Sequence, residues 1–236
     1  MKQQRPAKFR SVSLSFLPVF VGAMLAGSVA SDAAVLASWD VWASGSADST
    51  TSDFTATIAG FDAIRSDRGI ADGTFGADLA GATSGDTRSA AYRGTSFNVM
   101  TLTLTNGTAS AYSIDSLHFD FGVRTNGPNS FTANYTSGGL GPAPALIDTQ
   151  TGLAQQNSTN GNLFQFDYTL SSSLTDTTLA AGESAVFTIN FSDTTGSGSS
   201  LSLIDNVAFQ GTVVPEPSSI ALIGLGGLAL FFRRRR

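Results

Sequence analysis

Apolar residues fall at every second position in several short stretches of this chain, and that rhythm limits the fold more than any other feature. In 114–124, Leu117, Phe119, Phe121 and Val123 point one way while His118 and Asp120 point the other. In 163–170 the alternating set is Phe164, Phe166, Tyr168 and Leu170, and in 184–192 it is Ala185, Phe187, Ile189 and Phe191. Run 97–105 alternates Met100, Leu102 and Leu104 with Thr101, Thr103 and Thr105. A period of two is the signature of a strand with one buried face. Residues 35–42, 53–60, 130–136 and 201–212 supply further strand candidates. Between the runs stand Asn106-Gly107, Asn126-Gly127-Pro128, Gly138-Gly139, Asn160-Gly161 and Ala181-Gly182. Such residues tolerate positive φ or fix φ, as tight turns require. About eight strands with one apolar face each are buried only when sheet packs on sheet. The expected fold is all-β, an antiparallel β-sandwich with jelly-roll-like connections as one way to thread it. No fixed repeat supports a solenoid. Segments 44–52 and 193–200 read as loops, and 66–96 as a Gly/Asp-rich loop holding one or two short edge strands.

The two ends of the 236 residues follow different rules. Lys2, Arg5, Lys8 and Arg10 precede an apolar stretch, Leu14 to Ala26, and then Ser28-Val29-Ala30. Basic, apolar and small-x-small parts in that order make a secretory signal peptide over 1–30, with cleavage after Ala30 or, as the close alternative, after Ala33. The domain expected to fold is 31–213, long enough to bury a core. Residues 31–214 hold 17 acids against five Arg and no Lys, a net −12 that the −5 of the whole chain conceals. Such a surface repels nucleic acid and anionic lipid, both of which are held through their phosphates. Without a single Cys, thiol chemistry, thiolate zinc sites and iron–sulfur clusters are excluded.

Residues 214–236 form the second end. Val214 leads into Pro215-Glu216-Pro217, which stops a sheet because Pro donates no ladder hydrogen bond. Ile220 to Phe232 carry no charge, and Arg233, Arg234, Arg235 and Arg236 follow. As a helix this run spans about 20 Å against a hydrocarbon core of about 30 Å, short for a permanent anchor but adequate for a transient one. Arginines at its end set the cytoplasmic side. This tail resembles the PEP-CTERM sorting signal of Gram-negative bacteria, with Val214 to Pro217 matching the motif. The resemblance implies export through the Sec translocon and recognition by exosortase, a membrane-embedded Cys protease-transpeptidase that cleaves near the motif. It also implies an association with exopolysaccharide and biofilm. The body is similar to other PEP-CTERM proteins at Trp39-Asp40, Ser116 to Asp120 and Leu203 to Phe209, which implies a shared sandwich and no activity.

Little else points to chemistry. His118 is the only His, no Gly-x-Ser-x-Gly elbow exists, and no phosphate-binding glycine loop occurs. A Ser-His-Asp triad or a three-ligand zinc site is therefore not expected, and His118 reads as a solvated surface or edge residue. No cofactor is expected. Calcium is the one metal considered, since Asp62, Asp67, Asp72 and Asp78 share a loop region and Asp205-Asn206 could add oxygens, but the spacing is not that of an EF-hand. Trp39, Trp42, Tyr92 and Tyr135 are the rings that could stack on sugars, against a reading in which they build the core. The sequence thus favours a non-enzymatic surface or matrix protein. A carbohydrate-binding module and a glycoside hydrolase using two carboxylates are the alternatives.

Overall fold

A computed structural model of the chain describes residues 33–39, 44–51, 53–61, 63–65, 89–93, 99–124, 127–155, 163–193 and 201–215. All of them lie in one compact unit, Ser31–Arg236. Ala30, Trp42, the acids Asp62, Asp67, Asp72 and Asp78, and the tail from Glu216 through Arg236 lie outside the described residues.

Thirteen strands are described, all pairing antiparallel, in two sheets. The first sheet runs β10 (Phe164–Thr169), β7 (Tyr112–Val123), β13 (Leu201–Val213), β1 (Ala34–Trp39) and β2 (Ser49–Thr50). Three short strands extend it: β5 (Ser89–Arg93) pairs with the start of β13, β4 (Ala63–Arg65) with β5, and β11 (Thr178–Leu179) with β7. The second sheet runs β3 (Phe54–Ala59), β6 (Val99–Asn106), β12 (Ser184–Ser192), β8 (Ser130–Gly138) and β9 (Ala145–Gln150). The all-β sandwich expected from the alternation is the fold observed.

Packing follows from which residues the alternation turns inward. Leu102, Leu104, Phe187, Ile189, Phe131 and Tyr135 from the second sheet meet Leu117, Phe119, Phe121, Ile204 and Phe209 from the first, all fully buried. Aromatic rings lock the layers together. Phe187 lies 5.0 Å from Phe209, Phe131 lies 5.3 Å edge-on to Phe119, and Phe121 stacks on Phe191 at 5.3 Å. Each such ring removes much apolar area from water, which is the main stabilising term for a chain without disulfides. Gly138, at φ +125 where β8 meets β12, approaches the Ser184 carbonyl so closely that a Cβ would sit 2.0 Å from that oxygen. Only glycine fits there.

One side of the sandwich is laced shut. Segment 44–52, expected as a loop, is described over 44–51, where it pairs through β2 with β1 and through a Ser46–Thr57 bridge with β3. Backbone bonds from Asp48 N–H to Ser38 O (2.8 Å) and from Ala47 N–H to Ala56 O (3.0 Å) tie it to both sheets. Its Ser/Thr-rich composition gave no strand signal because it has no apolar face to bury. On the opposite side the sheet orders end in β9 and β10, and those two edge strands flank a groove.

Candidate functional site

The groove is built by the way β10 ends. Phe164, Phe166 and Tyr168 alternate inward, while Gln165, Asp167 and Thr169 alternate outward and are exposed. Leu170 then turns into the core and starts a 3-10 turn, Leu170–Ser172, with Ser173 N–H and Leu174 N–H both donating to Leu170 O. That turn carries Ser172 and Ser173 over the groove, whose other wall is Ile147 and Asp148 of β9. The volume is about 430 Å³.

Tyr168 and Asp148 join the two sheets across it. Tyr168 Oη–H donates to Asp148 Oδ2 at 2.9 Å, and Gln150 Nε2–H donates to the same oxygen at 2.7 Å. Burial acts to raise the Asp148 pKa, but the hydrogen bonds from Gln150, Tyr168 and the Thr149 backbone outweigh it and leave the carboxyl below its ordinary value. The carboxylate is therefore held ionised. Burial pushes the Tyr168 phenol up, and the hydrogen bond and charge of Asp148 push it further, so it stays a donor. The Tyr168 ring stacks on Phe166, 7° from parallel at 6.3 Å, which fixes its orientation.

Asp167 links the groove to the interior of the first sheet. Its side chain is 68 % exposed on one side, yet its Oδ1 lies 2.5 Å from His118 Nδ1. His118 is 1 % exposed, with Nε2 3.4 Å from Oδ1 of the fully buried Asp120. Asn206 Nδ2–H donates to Asp120 Oδ2 at 2.7 Å. Asn206 reaches this position because β13 bulges: Asp205 pairs with Asp120 and Ala208 with His118, leaving two residues opposite Phe119, and Asn206 takes φ +46. Asn is among the few non-glycine residues that adopt such a φ readily. Burial, the largest influence on His118, lowers its pKa, but hydrogen bonding to and the charges of Asp120 and Asp167 more than reverse this, so it lies above the ordinary 6.5.

This corrects the expectation of a solvated His118. The alternation assigned its face rightly, away from the inter-sheet core, but His118 sits mid-sheet between β10 and β13, on a surface where Ser38 and Ala208 are also buried. Trp39 and Tyr135 are likewise not available to stack on a sugar. Both are fully buried, with Trp39 Nε1–H donating to Gly45 O and Tyr135 Oη accepting from Leu140 N–H. Tyr92 lies in β5. Asn206 belongs to the buried His118 network, and Asp205 is buried opposite Asp120 where β13 pairs with β7. Among the described residues no group of three or more His, Asp or Glu side chains is arranged to hold a metal ion. The sequence reading missed Asp148, Asp167, Tyr168, Ser172 and Ser173 as a group. Their only signal was the outward Asp of β10, one among many acids.

The sheet that carries His118 also carries the tail. β13, central in its sheet, runs to Val213, and Val214 N–H donates to Ala111 O at 2.9 Å, with Pro215 exposed directly after it. The class this defines is an acidic β-sandwich bearing a C-terminal Pro-Glu-Pro tail with no spacer between tail and fold. A family model described as the PEP-CTERM protein-sorting motif matches residues 213–236. The chain thus carries a PEP-CTERM sorting motif, which supports exosortase-type sorting of an exported, cell-surface-directed protein. A search of curated proteins finds no match. Among solved structures, the enzymatically active domain of tailspike protein 4 from bacteriophage CBA120 is similar at a TM-score of 0.29 and 13% identity. The likeness covers 69% of this chain and 20% of that one. This chain therefore spans about a fifth of that chain's length, and at such a score the likeness defines neither fold nor function. Among the described residues no helix is long and apolar enough to cross a membrane.

Proposed function

We propose that the mature chain is a non-enzymatic protein of the cell surface or extracellular matrix, displayed within exopolysaccharide after export. The N-terminal 30 residues direct it to the Sec translocon. The apolar segment 220–232 and Arg233 to Arg236 then hold it transiently in the inner membrane for exosortase. Processing near Pro215-Glu216-Pro217 releases the sandwich to the outside. The observation that carries this reading is the sorting motif at 213–236, joined directly to β13. The −12 charge of residues 31–214 suits a protein that stays soluble and unattached to anionic membrane once freed.

Fractionation of producing cells, followed with an antibody to the sandwich, tests the address. The protein is expected in the surface and matrix fractions; an exclusively cytosolic pool contradicts the reading. A glycoside hydrolase is the rival, because Asp148 and Asp167 line one groove. Such an enzyme needs a carboxylic acid kept protonated to serve as general acid, and Asp148 is shifted the opposite way. Incubation with matrix polysaccharide is expected to release no reducing ends, and release that disappears in Asp148→Asn and Asp167→Asn would replace the proposal with the hydrolase.

A further inference from the structure

We infer that the groove between β9 and β10 is a binding site for an uncharged saccharide. This deepens the matrix reading above and rests on it only for where the saccharide would be met. The volume of about 430 Å³ falls in the range of small-ligand sites, about 300–1,000 Å³. The lining residues are the acids Asp148 and Asp167, the hydroxyl residues Thr169, Ser172 and Ser173, and Ile147 and Tyr168. Ionised carboxylates only accept hydrogen bonds, whereas hydroxyls both donate and accept. A ligand matching that set offers many O–H donors and some acceptors. Ile147 and the ring of Tyr168 add apolar surface of the kind that the C–H faces of a sugar cover. Among the described residues no Lys or Arg lines the groove, so a phosphate, sulfate or uronate would be repelled.

Two acids also attract cations, but an ammonium ligand offers no acceptor to the hydroxyl hydrogens of Thr169, Ser172 and Ser173. Asp148 already takes two donors on one oxygen, from Tyr168 and Gln150. Asp167 shares its charge with the buried imidazole of His118. Asp148 keeps its charge, and its two neutral donors fix where its acceptor oxygens sit. Preorganised acceptors set against hydroxyls favour polyol recognition over charge pairing.

The full chain, kept in a detergent without a sugar headgroup, is probed against an array of neutral oligosaccharides, uronate oligosaccharides and spermine. Binding to at least one neutral oligosaccharide is expected, with little change from low to high salt because no ion pair forms. Asp148→Ala and Ser172→Ala are each expected to weaken it about tenfold, the loss typical of one good hydrogen bond to a bound ligand. Ser172 is exposed on the 3-10 turn, so Ser172→Ala keeps the test alive if Asp148→Ala melts early. Absence of binding to every neutral sugar overturns the assignment. So do salt-sensitive binding to spermine in its place, a preference for uronates, or undiminished affinity in both variants. None of these failures touches the sorting proposal, which the fractionation tests separately.

Discussion

Replacing Asn106 by Asp should unfold the tail end of the sandwich more readily than replacing it by Ala, although Asp is nearly the same shape. Asn106 is fully buried at the end of β6. Its Nδ2 donates to Ser110 O at 2.9 Å, Leu179 O at 3.0 Å and Ala180 O at 3.2 Å. Its Oδ1 accepts from Thr108 N–H at 3.0 Å and from Thr108 Oγ–H at 2.7 Å. Alanine removes all five contacts and strands the buried Leu179 carbonyl, a group that costs about 1 to 3 kcal/mol when left unpaired. With partial compensation by water, a loss of about 3 kcal/mol is expected. For a domain of this size each kcal/mol lowers the melting temperature by about 2–4 °C, so Asn106→Ala should melt roughly 6–12 °C early. Aspartate keeps the acceptor side but aims a second oxygen at three carbonyl oxygens and buries a charge, which costs more than an empty space. Circular dichroism melts of the full chain at neutral pH give the comparison. The turn held by Asn106 includes Ala111, whose carbonyl anchors Val214, so the same variants should also loosen the base of the sorting motif. Asn106→Asp melting with the wild type, or above Asn106→Ala, would show that the five bonds of Asn106 do not hold this end of the sandwich.

Two further outcomes follow from the same physics. His118 has a raised folded-state pKa, caused by Asp120 and Asp167 against the opposing effect of burial, with Asp205 the acid facing Asp120 from β13. Its stabilisation is fully present below about pH 6.5 and is lost as pH rises through the folded-state value. Melting temperatures measured from about pH 6 to pH 9 should therefore fall with a component that Asp167→Asn reduces; an identical slope in both proteins counts against the pairing. Gly138→Ala should cost about 3 kcal/mol, since a positive φ and a contact with the Ser184 carbonyl both oppose a side chain. Urea denaturation showing an unchanged midpoint would contradict that.

The inter-sheet core was legible because alternation reports directly which residues share a face. Met100, Leu102, Phe119, Phe187 and Ile189 are all fully buried where the period placed them. Alternation does not report what lies over the other face, and that is why His118, read as solvated, is buried between two carboxylates. The groove was illegible for a different reason. β9 is an edge strand whose Leu146 is 58% exposed while its Ile147 is only half-buried, so Leu146-Ile147-Asp148 shows no clean period. Without β9, Asp148 had no place beside Tyr168, and two residues 20 apart in sequence had no reason to meet. The tail was readable from the opposite cause: Pro-Glu-Pro, an uncharged run and four arginines form a signal by their order along the chain, which the sequence displays directly.

Delivery of this sandwich by processing at its C-terminal motif is open to a single measurement, the intact mass of the protein recovered from producing cells with and without exosortase. The account predicts a species lacking the leader and the residues beyond the Pro215–Pro217 region when exosortase is present, and one that keeps its C-terminal arginines when it is absent. The same full-length C-terminus in both strains would contradict it.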